Sequence, residues 1–283
     1  IRVFCLSRGL GDVYKRQDGA AQTVADITAL GRRAVALQAG LDDASQCRQL
    51  VKRLADALGP VTGLVNSASR FDFDSIHSLT PQSFAAHLGP NLLAPLLLSQ
   101  ALLAQLPGRA DTSSGAPAVK PALSAGPGNP DSAASHARPA VQISPAGNEA
   151  PDTSASPASA PAVIVNLLDQ KLFNLNPDFL SYTLSKAALQ AATTMLAQAM
   201  APHVRVVGVA PGLTLPSYLQ SDTDFAHAHR TLSPLGASST AEDVAATVVF
   251  AMKTRSITGT TLLVDGGQHL LGLPRDASLM GQA

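Results

Sequence analysis

A chain of 283 residues with 46% hydrophobic and only 14% charged side chains is long enough for one large domain or two small ones. Its 20 basic residues balance its 20 acidic residues, which gives no electrostatic basis for binding nucleic acid or an anionic membrane. The two cysteines, Cys5 and Cys47, form neither a metal-ligand spacing nor a disulfide framework. This usage is typical of a reducing environment, and we expect a cytoplasmic protein.

Apolar residues at helical spacing alternate along the chain with short apolar runs that are typical of strands. Before residue 107 the pattern predicts a helix over 18–31, a strand over 34–37, a helix over 43–58, a strand over 63–66 and a helical segment over 81–106. Pro95 is expected to bend or split the last segment, because proline removes a helical hydrogen bond.

The same alternation returns after residue 161. The predicted elements there are a strand over 162–168, a helix over 179–200, a strand over 204–209, a helix over 241–253 and a strand over 261–264. Strands that are apolar on both faces and alternate with helices predict an α/β fold, a parallel sheet covered by helices on both sides. Such sheets bind ligands at the carboxyl ends of their strands, where Asn66, Asp169 and Pro211-Gly212 are expected.

Residues 107–161 have a different composition. They hold half of the chain's 20 prolines, are rich in Ala and Ser, and contain no aromatic residue. Such a segment cannot bury enough apolar surface to offset the entropy of ordering it. We therefore expect a disordered insertion within a single domain over 18–283; the alternative is a Pro-rich arm that binds a partner.

Tyr182 and Lys186 are four residues apart in a predicted helix and therefore share one face of it. A free phenol titrates near ~10 and is a poor acid catalyst at neutral pH. A cation beside it favours the phenolate and is expected to lower the pKa of Tyr182 towards the working range. The alternative is an ordinary pair of surface residues on an amphipathic helix.

The surroundings of this pair carry a resemblance to a known family. The matching positions are Asn66-Ser67-Ala68-Ser69 after a strand, Asn91 in the long helical segment, Asp169 ahead of Tyr182, Pro211-Gly212 after the next strand, and Asp265-Gly266-Gly267 after the last. In this joint spacing, residues 18 to 270 resemble the short-chain dehydrogenase/reductase superfamily. The resemblance implies a Rossmann-like, doubly wound sheet, a nicotinamide cofactor, a small-molecule substrate and a homotetramer.

The resemblance also implies roles for single residues. Tyr182 would exchange the substrate proton, Lys186 would hold the nicotinamide ribose, and Asn91 would hold a water of the proton relay; Asn91 could instead be a polar residue at a helix kink. The implied cofactor contacts are Asn66, Ser67, Ala68, Lys186, Pro211, Gly212 and Thr214. Residues 215–235 resemble the family's substrate loop, and their composition fits a mobile lid.

Asp169 departs from the usual pattern, since most members have Ser there. An Asp resembles the pteridine reductase branch, in which Asp and Tyr supply a proton to a pterin ring nitrogen; a carboxyl group can relay a proton, whereas a Ser hydroxyl only donates a hydrogen bond. Phe71 resembles the aromatic that stacks on the pterin, so the implied substrate contacts are Ser69, Phe71 and Tyr182. Alternatively, Asp169 caps the next segment or pairs with Lys171, and Phe71 is an apolar anchor.

The family's Gly-x-x-x-Gly-x-Gly turn is not found near the first residues. Gly9-Leu10-Gly11 follows the strand-like run 1–6, but no third glycine stands at the needed distance. Only about eleven residues separate Leu6 from the helix predicted at 18, whereas a strand–helix–strand unit takes about thirty. We therefore expect residues 1–17 to be a non-native leader, the N-terminal unit to be incomplete, and a gap in the sheet centre to weaken folding or cofactor binding.

The sequence thus predicts an NADP-dependent (NADPH) short-chain reductase of a pterin or related heterocycle, with NAD as the alternative cofactor. A carbonyl or 3-oxoacyl reductase using Tyr182 alone is the first alternative, and a truncated, non-catalytic fragment is the second. No metal site is expected, because His227 and His229 have no evident third ligand.

Overall fold

The computed structural model describes residues 3–6, 13–106 and 160–280; the side chains of 3–6 and 13–18 are not described. Of the predicted disordered insertion over 107–161, all but its last two residues lie outside this description. Among the described residues no helix combines the length and hydropathy needed to cross a bilayer.

Five strands of the described chain form one sheet whose strand order follows the chain order. The strands are β1 (Val3–Leu6), β2 (Gly63–Asn66), β3 (Ala162–Leu167), β4 (Val204–Pro211) and β5 (Thr261–Val264). All neighbouring pairs are parallel, with Leu6 opposite Asn66 and Asn66 opposite Asn166. The carboxyl ends of the strands therefore meet at one edge of the sheet, as predicted.

The sequence forms seven α-helices in the described ranges: α1 (Val13–Ala29), α2 (Ala44–Leu58), α3 (Pro81–Leu88), α4 (Ala94–Ala104), α5 (Leu180–Met200), α6 (Asp222–Thr231) and α7 (Ala241–Lys253). A π-helical turn, Gly89–Leu93, joins α3 to α4. Short 3-10 turns lie at Gln170–Phe173, Gln268–Leu270 and Ala277–Leu279.

The helices cover both faces of the sheet, and β3 shows how its sequence produces this. Successive side chains of a strand point to opposite faces. Ile164 lies in the apolar cluster built with residues of α2, α4 and α5, whereas Val163 and Val165 lie in the cluster that contains Ala251 and Met252 of α7. An uninterrupted apolar strand is therefore buried on both sides, which confirms the predicted doubly wound α/β fold.

The predicted strand over 34–37 is wrong, since residues 32–40 form no regular structure. Val35 and Leu37 still pack against the core cluster under α2 and α4. Their apolar side chains are thus used in packing. Their backbone pairs with no described strand, and β1 is the edge strand of the described sheet. The apolar pattern here indicates burial but does not indicate hydrogen bonding to a neighbouring strand.

Residues of the predicted leader contribute to two elements. β1 pairs in parallel with β2, and α1 begins at Val13, five residues before the predicted start at 18. The strand position beside β2 is therefore filled, and the expected gap does not lie there. The segment Gly9-Leu10-Gly11 lies outside the described residues, and the non-native origin of residues 1–17 stays a prediction.

The predicted long helical segment is split, but not at Pro95. The interruption is the π-helical turn at Gly89–Leu93, and Pro95 lies in the first turn of α4, where proline is tolerated. The turn carries Pro90, which has no N–H to donate, and the buried Asn91. The segment over 81–106 contains Pro81, Pro90 and Pro95, and the second of these lies in the break.

Helix α6 lies within the loop predicted over 215–235 and was not predicted. Its sequence carries the usual end signals: Ser221 accepts a hydrogen bond from the backbone N–H of Asp224, Asp222 lies in the first turn, and Arg230 lies in the last turn. Only two of its apolar positions recur at helical spacing, so the apolar pattern does not indicate a helix. The signals at the two ends are the features of the sequence that do.

Gly266 occupies a backbone position that side chains cannot share, and we expect Gly266→Ala to destabilise the protein. Its φ is +61°, and an added Cβ would overlap the carbonyl oxygen of Ala237. Gly236 is the matched control, because its φ is +74° with open space around it. Both variants place an alanine at positive φ and lose stability for that reason. Only Gly266→Ala also causes the overlap, so its free energy of unfolding should fall by about 2 kcal/mol more than that of Gly236→Ala. Equal urea midpoints for the two variants would contradict this.

Candidate active site

The predicted site residues gather at the carboxyl ends of β2, β3 and β4. A cavity of about 230 Å³ lies at this edge. Its wall includes Phe71, Asp169, Lys171 and Thr214, and the C-terminal residues 276–278 close one side of it. The cavity therefore joins residues from four separate stretches of the sequence.

A hydrogen bond joins Tyr182 of α5 to Asp169 in the cavity wall. The Tyr182 hydroxyl donates to Asp169 Oδ2 at 2.6 Å, and Asp169 Oδ1 accepts from the backbone N–H of Lys171 at 2.8 Å. Asp169 is thus both the N-cap of the 3-10 turn that follows β3 and the partner of Tyr182. The cap that the sequence offered as an alternative is therefore present, and the role of Asp169 in proton transfer stays a prediction.

The electrostatics of this pair differ from the prediction. Burial raises the pKa of Asp169, although the hydrogen bonds from Tyr182 and from the Lys171 backbone act against it. Burial and the neighbouring Asp169 carboxylate raise the pKa of Tyr182 well above its ordinary value. The expected fall of the Tyr182 pKa towards the working range is therefore not found in this structure, where burial and the Asp169 carboxylate raise that pKa. Tyr182 is a neutral phenol that can give up a proton.

Lys186 is buried on the same face of α5. Its Nζ donates to the carbonyl oxygen of Leu167 at 2.7 Å and lies 5.9 Å from the centroid of the Tyr182 ring. Burial lowers the pKa of Lys186 to about 8, although the Asp169 carboxylate acts in the opposite direction. Lys186 therefore remains an ammonium at neutral pH and is fixed at the end of β3.

Asn91 lies on the π-helical turn and is fully buried. Its Oδ1 accepts from the backbone N–H of Arg70 at 2.7 Å and from Ser69 Oγ at 3.3 Å. Its Nδ2 donates to Arg70 O at 3.0 Å and to Ser185 Oγ at 2.9 Å. The amide thus ties the loop after β2 to the residue before Lys186. All its hydrogen-bonding positions are used in this way, and the role in holding a relay water stays a prediction.

Phe71 lies in the cavity wall with its ring between two others. It stacks on Phe179 with ring centroids 4.2 Å apart and planes 13° apart, and it meets the Tyr182 ring edge-on at 4.7 Å. One face of Phe71 is thus covered by the protein itself, as expected of an apolar anchor, while the residue still lines the cavity. Contact with a substrate ring stays a prediction for Phe71, and so does the substrate role of Ser69.

Phe179 supports this aromatic group and was not predicted. It precedes α5 in the left-handed conformation at φ 54°, which is rare for residues other than glycine, and is fully buried. The following turn is held by Asp74, which accepts from the backbone N–H of Ser181 at 2.9 Å and from the Ser181 hydroxyl. No sequence rule indicates a Phe at positive φ, and the capping Asp74 is more than 100 residues from Ser181 along the chain.

The implied cofactor contacts lie at the ends of three neighbouring strands. Asn66 donates through Nδ2 to Asn166 Oδ1 at 2.8 Å, and its buried Oδ1 has no hydrogen-bond partner among the described residues. Thr214 Oγ1 donates to Gly212 O at 3.0 Å. An added Cβ on Gly212 would approach Asp265 Cβ to 2.8 Å, so this backbone passes very close to the last strand.

These groups fit the nicotinamide–ribose half of a dinucleotide. The unpartnered Asn66 oxygen, the Lys186 ammonium and the Thr214 hydroxyl are polar groups suited to a ribose and a carboxamide. Ser67 and Ala68 follow Asn66 directly, and Ala68 is buried in the core. A second, open recess is lined by Gln38, Gly40, Asp42, Asp43 and Gln46.

In the described part of the chain no cluster of three or more His, Cys, Asp or Glu side chains is arranged to hold a metal ion. His227 and His229 lie on α6. His229 Nε2 is 3.3 Å from Ser239 O.

Two family models match this chain. The model described as short chain dehydrogenase matches residues 10–116, and the model described as enoyl-(acyl carrier protein) reductase matches residues 156–269. Among solved structures, the FolM alternative dihydrofolate reductase 1 of Brucella canis, complexed with NADP, is 30% identical with a TM-score of 0.70. The match covers 94% of this chain and 84% of that chain. The chain belongs to the short-chain dehydrogenase/reductase family, whose members are NAD(P)-dependent oxidoreductases.

Curated relatives match over shorter stretches. Pteridine reductase 1 of Leishmania tarentolae is 36% identical over 125 residues, 42% of this chain and 42% of that protein. A ketoacyl reductase of the granaticin polyketide synthase of Streptomyces violaceoruber is 40% identical over 94 residues, 32% of this chain and 37% of that protein. The matches span 34% to 42% of the length of the first three curated relatives.

Proposed function

We propose that this chain is an NADP-dependent reductase of a pterin or related heterocycle that contains a C=N bond. The observation that carries the proposal is the 2.6 Å hydrogen bond from Tyr182 to the partly buried Asp169 beside an aromatic wall. A carboxyl partner supports proton delivery to a ring nitrogen, because it can itself carry the proton that Tyr182 passes on. The NADP complex of the similar Brucella canis reductase supports NADP as the cofactor.

The bound cofactor supplies a hydride, and the chain's own residues supply binding and the proton. Lys186, Asn66, Pro211, Gly212 and Thr214 would hold its nicotinamide–ribose half.

Tyr182, a neutral phenol, donates its proton to the substrate nitrogen. Asp169, which lines the cavity, can then take up a proton from solvent and return it to Tyr182 along their hydrogen bond; burial raises the pKa of Asp169 and so acts in favour of this uptake. Lys186 stabilises the transient phenolate, since its ammonium lies 5.9 Å from the ring centroid.

A homotetramer is a further part of the proposal. The exposed apolar side chains of Leu184 and Met195 on α5 support it, because large apolar groups at a surface favour association. A cytoplasmic location remains a proposal from the cysteine usage.

The second candidate function is a carbonyl or 3-oxoacyl reductase, and the similarity to a ketoacyl reductase favours it. In that reaction Tyr182 alone protonates the carbonyl oxygen, so Asp169 would act only as a cap of the 3-10 turn. A chain without activity is the third candidate, because the residues after β1 carry no complete glycine-rich turn.

Asp169→Ser separates these candidates. We expect it to reduce NADPH-dependent reduction of 7,8-dihydropterin by about 10²-fold, because the proton partner of Tyr182 is lost. Reduction of a 3-oxoacyl thioester should persist in the same variant if the chain is a carbonyl reductase. Asp56→Ser, on the exposed face of α2, is the matched control and should behave like the wild type.

NADPH binding is measured first, by the fluorescence of the cofactor. Binding without turnover of either substrate would contradict both reductase proposals. The absence of binding would favour the chain without activity. Pterin reduction that survives in Asp169→Ser would contradict the role of Asp169.

A further inference from the structure

A buried ammonium that the proposed reaction does not use lies next to Asp169. Lys171 follows Asp169 by two residues in the 3-10 turn after β3 and is only 3% exposed. Burying a charge is unfavourable unless it is paired and hydrogen-bonded. The groups that contact the Lys171 ammonium therefore indicate its role in the fold.

The Lys171 side chain contacts three parts of the chain. Its Nζ donates to Asp178 O at 2.7 Å, just before α5, and to Asp276 Oδ2 at 2.9 Å, in the C-terminal segment. It also lies 5.3 Å from the centroid of the Phe179 ring, within the range of a cation–π contact. One side chain thus joins the segment of Asp169, the start of the helix that carries Tyr182, and the C-terminal wall of the cavity.

Asp276 is the charged end of this arrangement. Its Oδ1 accepts from the backbone N–H of Ser278 at 3.0 Å and from the Ser278 hydroxyl, while its Oδ2 accepts from Lys171. The side chain of Asp178 is engaged elsewhere, since its Oδ2 accepts from Arg275 Nε and from the Asp276 backbone N–H, both at 2.8 Å. Lys171 is therefore the cation that faces Asp276 among the described residues.

We propose that Lys171 is a positioning residue of the active site: it neutralises Asp276 in the cavity wall and, through Phe179, holds the ring stack that carries Phe71. The described wall of the cavity carries two carboxyl groups, Asp169 and Asp276, and Lys171 is paired with the second of them. Without Lys171, the Asp276 carboxylate would act on Asp169 without a counter-charge. The inference rests on the proposed function only in treating Asp169 as a proton carrier.

The charges around Asp169 set the direction of the effect. The groups that face it are Tyr182 and Lys186 on α5 and Asp276 in the C-terminal segment. The Asp276 carboxylate raises the pKa of both Asp169 and Tyr182, as a neighbouring like charge should. Removing Lys171, the counter-ion of Asp276, should raise the pKa of Asp169 further. Removing Asp276 itself should lower it.

The test is a direct titration of Asp169, by ¹³C NMR of the chain labelled at the aspartate carboxyl carbon, with Asp169→Asn to identify the resonance. Lys171→Met should move the midpoint of Asp169 upward by about one pH unit, and Asp276→Asn should move it downward. The double variant should titrate near the wild type, and Lys171→Arg should keep most of the wild-type behaviour. Lys52→Met, which removes an exposed ammonium from a surface pair, is the control.

Opposite shifts in the two single variants support the proposal, because a merely loosened fold would move both in one direction. An unchanged midpoint in folded Lys171→Met would overturn it, and so would equal shifts of one sign. If Lys171→Met does not fold, Asp276→Asn decides: a lower midpoint supports the proposal and an unchanged one overturns it. The titration needs neither cofactor nor substrate, so a failure of the proposed pterin reduction leaves its result readable.

Discussion

Tyr182→Phe is expected to lower kcat for the reduced substrate by about 10³-fold while leaving NADPH binding nearly unchanged. The substitution removes only the hydroxyl, so the edge-on contact of the ring with Phe71 at 4.7 Å can persist. It also removes the donor of the 2.6 Å hydrogen bond to Asp169. In the proposed mechanism a proton passes from Asp169 to the substrate only through this hydroxyl. The loss should therefore appear in the chemical step and not in binding.

Steady-state kinetics with NADPH and the best pterin substrate, together with cofactor titration, measure this split. Asp56→Ser is the control, because it changes an exposed side chain on α2 that is not part of the proposed site. A variant that retains kcat within about threefold would show that the proton reaches the substrate by a route without Tyr182. A loss of NADPH binding would show instead that the hydroxyl supports the cofactor site.

The parts of the fold and site that could be predicted are those that depend on local pattern and spacing. Continuous apolar strands such as β3 are buried on both faces, and this burial follows from composition alone. The pairing of Tyr182 with Asp169 was implied by the resemblance to the pteridine reductase branch. The structure brings these two residues together because β3 ends beside the first turn of α5.

The parts that could not be predicted depend on what the chain is packed against. Residues 34–37 have a strand pattern but pair with no described strand, and pairing is a property of the partner. Burial and the neighbouring Asp169 raise the pKa of Tyr182, and the burial depends on residues that are distant in the sequence. Lys171, Phe179 and Asp276 come together across about 100 residues of chain, a distance that no local pattern encodes.

Lys186→Met should change how stability depends on pH. Burial lowers the pKa of Lys186 from 10.5 to about 8, so between these values the unfolded chain holds a proton that the folded protein has released. Stability rises with pH wherever the unfolded state binds more protons. Through this window the wild type should therefore gain about 3 kcal/mol relative to Lys186→Met, which has no group to titrate.

Urea unfolding of both proteins at a series of pH values between 7 and 10.5 measures this difference, because other titrating groups are common to the two chains and cancel. Parallel stability curves would show that Lys186 is not held as a costly buried ammonium. Activity should follow the opposite trend, since the ammonium that stabilises the Tyr182 phenolate is lost above pH 8. Below pH 8 the buried Lys186 ammonium lowers the stability of the fold and supports the reaction. Its presence is therefore explained by function and not by stability. Lys186→Met measures the effect on stability and the effect on activity separately.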